Sequence, residues 1–308
     1  MATSVRDEFG SQLAKLANED SRVVALDGDL GNSTRLATVE KETDDSFLQM
    51  GIAEQNMLGV AAGLSTVGFQ PWVCSFATFL TKRAYDQIVV SVAQTHADVK
   101  MVGAYSGLLT SNTGKTHHSL DDLGMLSMVP NMTVIVTGDA NETATAMKAM
   151  HEYEGPVYLR LTRDETIENF TDEAEFEIGK GRVLQEGNDM LIISTGSMTS
   201  RVIEAIDGIE NLSIYHVHMP TIKPLDKELL LQAASHVDVV VTVEEHYIRG
   251  GLGSIVSEVL AEHDPKKVYR VGVEDEYSGC GTNEELLDAH GLSPEKVREK
   301  ILAYGKRE

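Results

Sequence analysis

The sequence of 308 residues has little from which to build a disulfide, a membrane span or a nucleic-acid surface. Its two cysteines, Cys74 and Cys280, lie far apart beside apolar or glycine neighbours. They offer neither a disulfide framework nor a zinc pattern. No apolar run reaches the roughly 18 residues that a membrane span needs. The first residues lack a basic segment followed by an apolar one, so no secretion signal is expected. Basic residues are scarce: 26 Lys and Arg face 48 Asp and Glu, a net charge of −22. That argues against nucleic-acid binding and against docking on anionic lipid. The acids are scattered, as on a solvated surface. Proline and glycine are not in excess and 42% of residues are hydrophobic, which excludes a disordered chain. The expectation is a soluble, cytoplasmic protein of two domains.

What is present is a regular alternation of strand and helix patterns. Val5, Phe9, Leu13 and Leu16 recur at helical spacing behind Ser4, a candidate cap. Val23 to Leu26 reads as a buried strand closing in Asp27-Gly28-Asp29. Further strands are expected at 71–76, 99–104, 132–137 and 156–161. Helices are expected at 54–66, 78–95, 119–128 and 141–152, with a polar loop over 106–118. A second series follows, with strands at 190–194, 212–217, 237–243 and 267–273 and helices at 198–209, 226–235 and 251–263. Alternation of this kind implies α/β domains, each with a mostly parallel sheet flanked by helices. The division expected is residues 1–165 and 185–308, joined by an acidic, aperiodic linker over 166–184.

In open parallel sheets ligands sit beyond the carboxyl ends of the strands. That singles out Asp27–Thr34, Ser75–Phe79, Tyr105–His118 and Arg160–Arg163. Glu54 stands where a loop enters an apolar helix. Such a glutamate is either a first-turn acid favoured by the helix dipole or a carboxyl held dry for a ring nitrogen. Phe76 and Phe79 are core aromatics or a wall for a planar heterocycle. In Gly114-Lys115-Thr116-His117-His118-Ser119 the paired histidines lack a completing metal ligand, so acid–base work suits them better than a metal. Lys115 is not part of a phosphate loop of the GxxxxGK[ST] type, because Leu109 stands where the first glycine would be. The turn at Gly250-Gly251-Leu252-Gly253 does not fit GxGxxG.

Five stretches together resemble the transketolase family: GIAEQNMLGVAAGLSTVG (51–68), FATFLTKRAYDQ (76–87), TGKTHHSLDDLGMLSMVPNM (113–132), MPTIKPLD (219–226) and VTVEEHYIRGGLGS (241–254). They follow the family's order over nearly the whole chain. The chain is similar to the separate C-terminal subunit of split transketolases, a pyrimidine-binding fold followed by a transketolase C-terminal-like fold. The resemblance implies thiamine diphosphate as cofactor, with its aminopyrimidine end bound here. It matches Glu54 to the carboxyl that bonds the pyrimidine N1′ and favours its imino tautomer. Phe76 and Phe79 match the stacking aromatics, and Leu30 the apolar wedge that keeps the cofactor bent, with Asp29 beside it. His117 matches an active-site histidine. Arg6, Ser33 and Arg163 fall where transketolases hold a sugar phosphate. Tyr105 and Thr113 stand where the family has a substrate-facing histidine and an aspartate, and His118 replaces a glutamine.

The family's diphosphate and magnesium motif is missing. The resemblance therefore implies half of an active site, completed by a diphosphate-binding N-terminal subunit that carries Mg2+ or Ca2+. A heterotetramer of two large and two small chains is expected, moving a two-carbon ketol unit from a ketose, expected as its phosphate, to an aldose. No nucleic acid, membrane or metal site on this chain is expected. For His246 an interface role is expected. The alternative is an E1β-like subunit of a 2-oxoacid dehydrogenase, which needs a lipoyl partner and no phosphate-binding arginines. A third option is a non-catalytic scaffold, against which Glu54 and His117 both speak.

Overall fold

The computed structural model describes residues 2–110, 112–163, 165–167, 169–170 and 175–306. The chain opens with β1 (Ala2–Ser4), followed by β2 (Val23–Asp27), β3 (Phe47–Gln49), β4 (Gln70–Phe76) and β5 (Lys100–Ala104). Next come β6 (Thr133–Val136), β7 (Val157–Arg160), β8 (Glu165–Ile167), β9 (Arg182–Gln185) and β10 (Met190–Ser194). The last strands are β11 (Ile214–His218), β12 (Thr221–Lys223), β13 (Val239–Tyr247) and β14 (Lys267–Val273).

A seven-stranded sheet has the order β12-β6-β7-β5-β4-β2-β3, and a five-stranded sheet the order β14-β13-β10-β11-β9. Every pairing within them is parallel except β12 with β6 and β11 with β9. β1 and β8 form a separate antiparallel ribbon. The fold class is therefore the expected one: two mostly parallel sheets flanked by helices. β2, β4 and β5 are buried at every position, as strands covered on both faces should be. Helix Val5–Glu19 starts where expected, with the Ser4 hydroxyl accepting from the Asp7 amide at 3.3 Å.

Four local expectations need correction. The stretch expected to be a linker supplies part of β8 and most of β9, and residues 168 and 171–174 of it lie outside those described. Edge strands of three or four residues are too short to show a period, and β9 alternates intermediate and exposed positions. MPTIKPLD, which falls between the strand expected at 212–217 and the helix expected at 226–235, contains a strand that was not expected. This β12 crosses back to the edge of the first sheet, Thr221 opposite Ile135. The long helix expected at 78–95 breaks into Ala77–Arg83, Tyr85–Gln87 and a π-helical segment Ile88–Ala93. The helix expected from 119 begins at Asp122, because Ser119 and Leu120 give their carbonyls to Gly107, Arg160 and Tyr247. Two C-terminal helices, Asn283–Ala289 and Pro294–Tyr304, were not anticipated.

β3 and β4 leave β2 on opposite sides. The crevice at such a reversal, outside the carboxyl ends of the strands, is where an open sheet can seat a ligand.

Candidate active site

Glu54 is the first residue of helix Glu54–Thr66 and is 1% exposed. A carboxyl so placed needs partners. Ser75 at the end of β4 donates to Oε1 at 3.1 Å, and Arg83 donates to Oε2 at 2.7 Å. Arg83 sits four residues after Phe79 on one helix face, and its guanidinium lies 4.9 Å from the Phe79 ring centre. The helix break after Arg83 is thus local to the site. Gly28, at the end of β2, is tightly enclosed: a Cβ there would lie 3.2 Å from Ser75 Oγ and 3.6 Å from Met57 Cε.

An aromatic wall continues from this point. Phe76 and Phe79 lie 5.8 Å apart, with planes 22° from parallel. Tyr105 stacks on Phe76 at 4.1 Å. The His117 ring meets Phe79 edge-on at 5.3 Å, and its Nδ1 lies 2.9 Å from the Thr116 hydroxyl. Tyr105 holds a left-handed backbone, φ 53°, which is rare for a bulky side chain. Arg6 and Arg163 both lean on its ring, at 5.1 and 5.2 Å from the ring centre. Arg6 donates to the Tyr105 hydroxyl at 3.0 Å and to the Ser33 carbonyl at 2.6 Å. Arg163 donates to the Thr110 carbonyl at 3.0 Å. Neither guanidinium is ion-paired among the described residues. Burial lowers the Arg6 pKa from its ordinary value, and Arg163 and Arg35 push the same way. Two cations on one ring favour an anion nearby.

The structure thus gathers Glu54, Phe76, Phe79, His117, Tyr105, Arg6, Ser33 and Arg163 along the carboxyl ends of β2, β4, β5 and β7. Leu30 and Asp29 line an adjoining cavity of about 330 Å³ with Ser33 and Gln49. Asp29 is exposed and left-handed, φ 67°. The acid that shapes this turn is Asp27, which accepts from the Leu30 and Gly31 amides and from Gln49 at 2.8 Å. Thr113 is exposed, and its hydroxyl bonds Thr110 Oγ1 at 2.6 Å, so it joins the arginines only through Thr110. His118 turns away from the wall. It is 4% exposed and neither ring nitrogen has a partner among the described residues. Burial lowers its pKa, with His290 and His117 acting in the same direction. Sequence reading included Ser75 only within the strand-end segment Ser75–Phe79, and it missed Arg83, although the spacing of Phe79 and Arg83 was available as a signal.

His246 is buried inside the chain. Its Nδ1 lies 2.7 Å from the Tyr247 carbonyl and its Nε2 takes the Gly124 amide at 3.3 Å. It therefore joins β13 to helix Asp122–Ser127, and its position needs no second chain to explain it. Among the described residues, no group of three or more His, Cys, Asp and Glu side chains could hold a metal ion. None of their helices is long and apolar enough to cross a membrane.

A buried carboxyl beside an aromatic face thus stands at the strand ends of the first sheet. Comparison gives the class. Residues 1–167 match the transketolase pyrimidine-binding domain and residues 179–297 the transketolase C-terminal domain. A Methanocaldococcus jannaschii chain, provisionally named a transketolase C-terminal section, is 38% identical over 99% of this chain and 97% of its own. A subunit of the apulose-4-phosphate transketolase of Phocaeicola vulgatus is 34% identical over 98% of this chain and 97% of its own. The 6-deoxy-6-sulfo-D-fructose transketolase subunit of a Clostridium species is 34% identical over 95% and 92%. A split-gene transketolase solved as an inactive β4 tetramer superposes with a TM-score of 0.89 at 39% identity, over 99% of this chain and 98% of that one. The chain belongs to the transketolase family, a family of transferases, and within it to the split subunits. The family implies thiamine diphosphate, with the pyrimidine-binding domain on this chain.

Proposed function

We propose that this chain is the pyrimidine-binding half of a two-subunit transketolase that moves a two-carbon ketol unit from a ketose phosphate to an aldose. One observation carries the reading. A buried carboxyl, an aromatic wall and two guanidiniums with no ion-pair partner among the described residues follow one another along a single row of strand ends.

The residues fit the cofactor's pyrimidine end. Arg83, a planar cation, already lies on Phe79 while bonding Glu54, so the seat accepts a flat nitrogenous group against both. Glu54 would hold a proton at the ring nitrogen, with Ser75 fixing the carboxyl's other oxygen. Phe76 and Phe79 would stack on the ring, and Leu30 beside Asp29 would bear on the cofactor's middle. Bound thiamine diphosphate supplies the nucleophilic carbon that carries the two-carbon unit. His117, at the edge of the wall, would move a proton to or from a substrate oxygen. Arg6 and Arg163 would grip the phosphate, with Ser33, Tyr105 and Thr113 at its margin. The E1β-like alternative gives these two guanidiniums no task.

The second half of the site comes from a partner chain that holds the diphosphate and a divalent cation. Helix Glu54–Thr66 supports this. It is apolar nearly all round, as a buried helix is. Yet a Cβ on Gly59 or Gly63 would meet no atom within 4 Å, and Ile52 and Val67 beside it are 73% and 70% exposed. We assign this face to the diphosphate-binding subunit, in a heterotetramer of two plus two. The test is calorimetric titration of thiamine diphosphate, with Mg2+, into the chain with and without that subunit, followed by transfer from a ketose phosphate. Binding and transfer only with the subunit present support the reading. Tight binding to the lone chain, or transfer that survives Glu54→Ala, overturns it.

A further inference from the structure

The loop that carries His117 is held by the second sheet. It begins at Gly107 and ends at Ser119, and the Gly107 amide donates to the Ser119 carbonyl at 2.9 Å. Just inside the first end, the Leu108 and Leu109 amides both donate to Glu245 Oε1, at 2.5 and 2.9 Å. Glu245 lies on β13, 3% exposed, and its Oε2 accepts from the Ser197 hydroxyl at 2.9 Å. Gly107 is needed for this approach: its φ is 73°, and a Cβ there would sit 2.1 Å from Glu245 Oε1.

The other end is fixed as firmly. One Arg160 nitrogen donates to both the Ser119 and the Glu245 carbonyls, each at 3.0 Å. Arg160 Nε donates to Asp122 at 2.9 Å, and the Tyr247 amide donates to the Leu120 carbonyl at 2.8 Å. Between the two clamps the loop is exposed or half-exposed from 112 to 117. A fully buried carboxylate is costly, and the charges of Arg160 and Arg201 offset part of that cost at Glu245. Its Oε1 is spent on the backbone of a loop from the other sheet, and its Oε2 on Ser197.

We propose that Glu245 is a positioning residue, setting through the Leu108 and Leu109 amides where the loop presents His117 to the Phe79 face. The proposal rests on the reading that His117 serves the transfer. A displacement of the order of 1 Å at a reacting group costs about 100-fold.

The test uses the full chain. Amide hydrogen exchange is measured for unsubstituted protein, Glu245→Ala, Glu245→Gln and Ser197→Ala. Turnover is then measured with the diphosphate-binding subunit. Glutamine keeps an oxygen acceptor for both amides, and its NH2 can donate to Ser197. Expected for Glu245→Ala is faster exchange from Leu108 to His118, unchanged exchange in β10 and β11, and kcat lower by about 100-fold with KM within about twofold. Expected for Glu245→Gln is loop protection retained and kcat within about fivefold. Ser197→Ala, which leaves the amide contacts in place, provides a graded readout if the alanine variant does not fold: a smaller rise in exchange at Leu108 and Leu109. Unchanged exchange in Glu245→Ala, or faster exchange with normal kcat, overturns the proposal. So does a Glu245→Gln variant as impaired as the alanine. If no variant transfers, the transfer reading fails separately and exchange alone decides the clamp.

Discussion

Both sheets place a buried glutamate where a helix begins. In the first sheet Glu54 is held by two side chains, Ser75 and Arg83, and the Arg83 side chain is 43% exposed. In the second, Glu244 accepts from the Leu252 and Gly253 amides at 2.7 and 2.8 Å. The helix start that would attract an anionic ligand is already filled by the chain's own carboxylate. Burial pushes the Glu244 pKa up, opposed by His246 and those two amides. So one buried acid is held by side chains, one of them partly exposed, and the other by backbone amides at a helix start. A parallel sheet offers ligand positions at its strand ends, and the partners of the buried acids decide which of them stay open.

The comparison breaks most visibly at Glu54. Glu54→Gln is expected to lower reconstituted transfer by at least about 100-fold while leaving the melting temperature nearly unchanged, because a neutral amide can still pair with Ser75. Steady-state kinetics beside a thermal melt checks this. The helix start filled by Glu244 predicts the opposite pattern. In Gly251→Ala a Cβ would lie 2.0 Å from Glu244 Oε2, so stability should fall by about 3 kcal/mol in chemical denaturation. Any loss of transfer should follow unfolding alone.

A smaller effect is expected at the wall. Phe79→Leu should weaken thiamine diphosphate binding by about tenfold in calorimetry, with the fold intact. A pH-dependent effect lies in the second sheet. His216 is buried, with Ser194 at 2.8 Å from Nε2, and burial depresses its pKa to about 3, with His218 acting the same way. The folded protein therefore resists protonation that the unfolded chain accepts. The stability this contributes is intact above about pH 6.5 and is lost as pH falls toward about 3. Down to about pH 5 the loss is about 2 kcal/mol. Denaturation of His216→Gln at a series of pH values should lack that slope.

The fold class was legible because buried parallel strands are short, apolar and separated by helices of clear period. The edges were not. β3, β8, β9 and β12 are strands of three or four residues, and pairing rather than pattern defines them. The excursion of MPTIKPLD to the first sheet has no local signal, since β12 is defined by Ile135 opposite Thr221. Among the site residues, Glu54 and the aromatics stood out because a charge in an apolar helix and rings at a strand end are unusual. Arg83 did not, being an ordinary polar residue until the fold brings it to Glu54, and Ser75 stood out only by its place at a strand end. Glu245 was least legible of all: its partners are backbone amides 136 and 137 residues away.

The central claim is that this chain carries half of a cofactor site. The most direct measurement is the native mass and thiamine diphosphate content of the tagged chain, affinity-purified from its own host. The account predicts a stoichiometric second chain, bound cofactor, and a mass of two copies of each. A homo-oligomer of this chain alone, retaining cofactor or lacking any partner that restores it, would contradict the account.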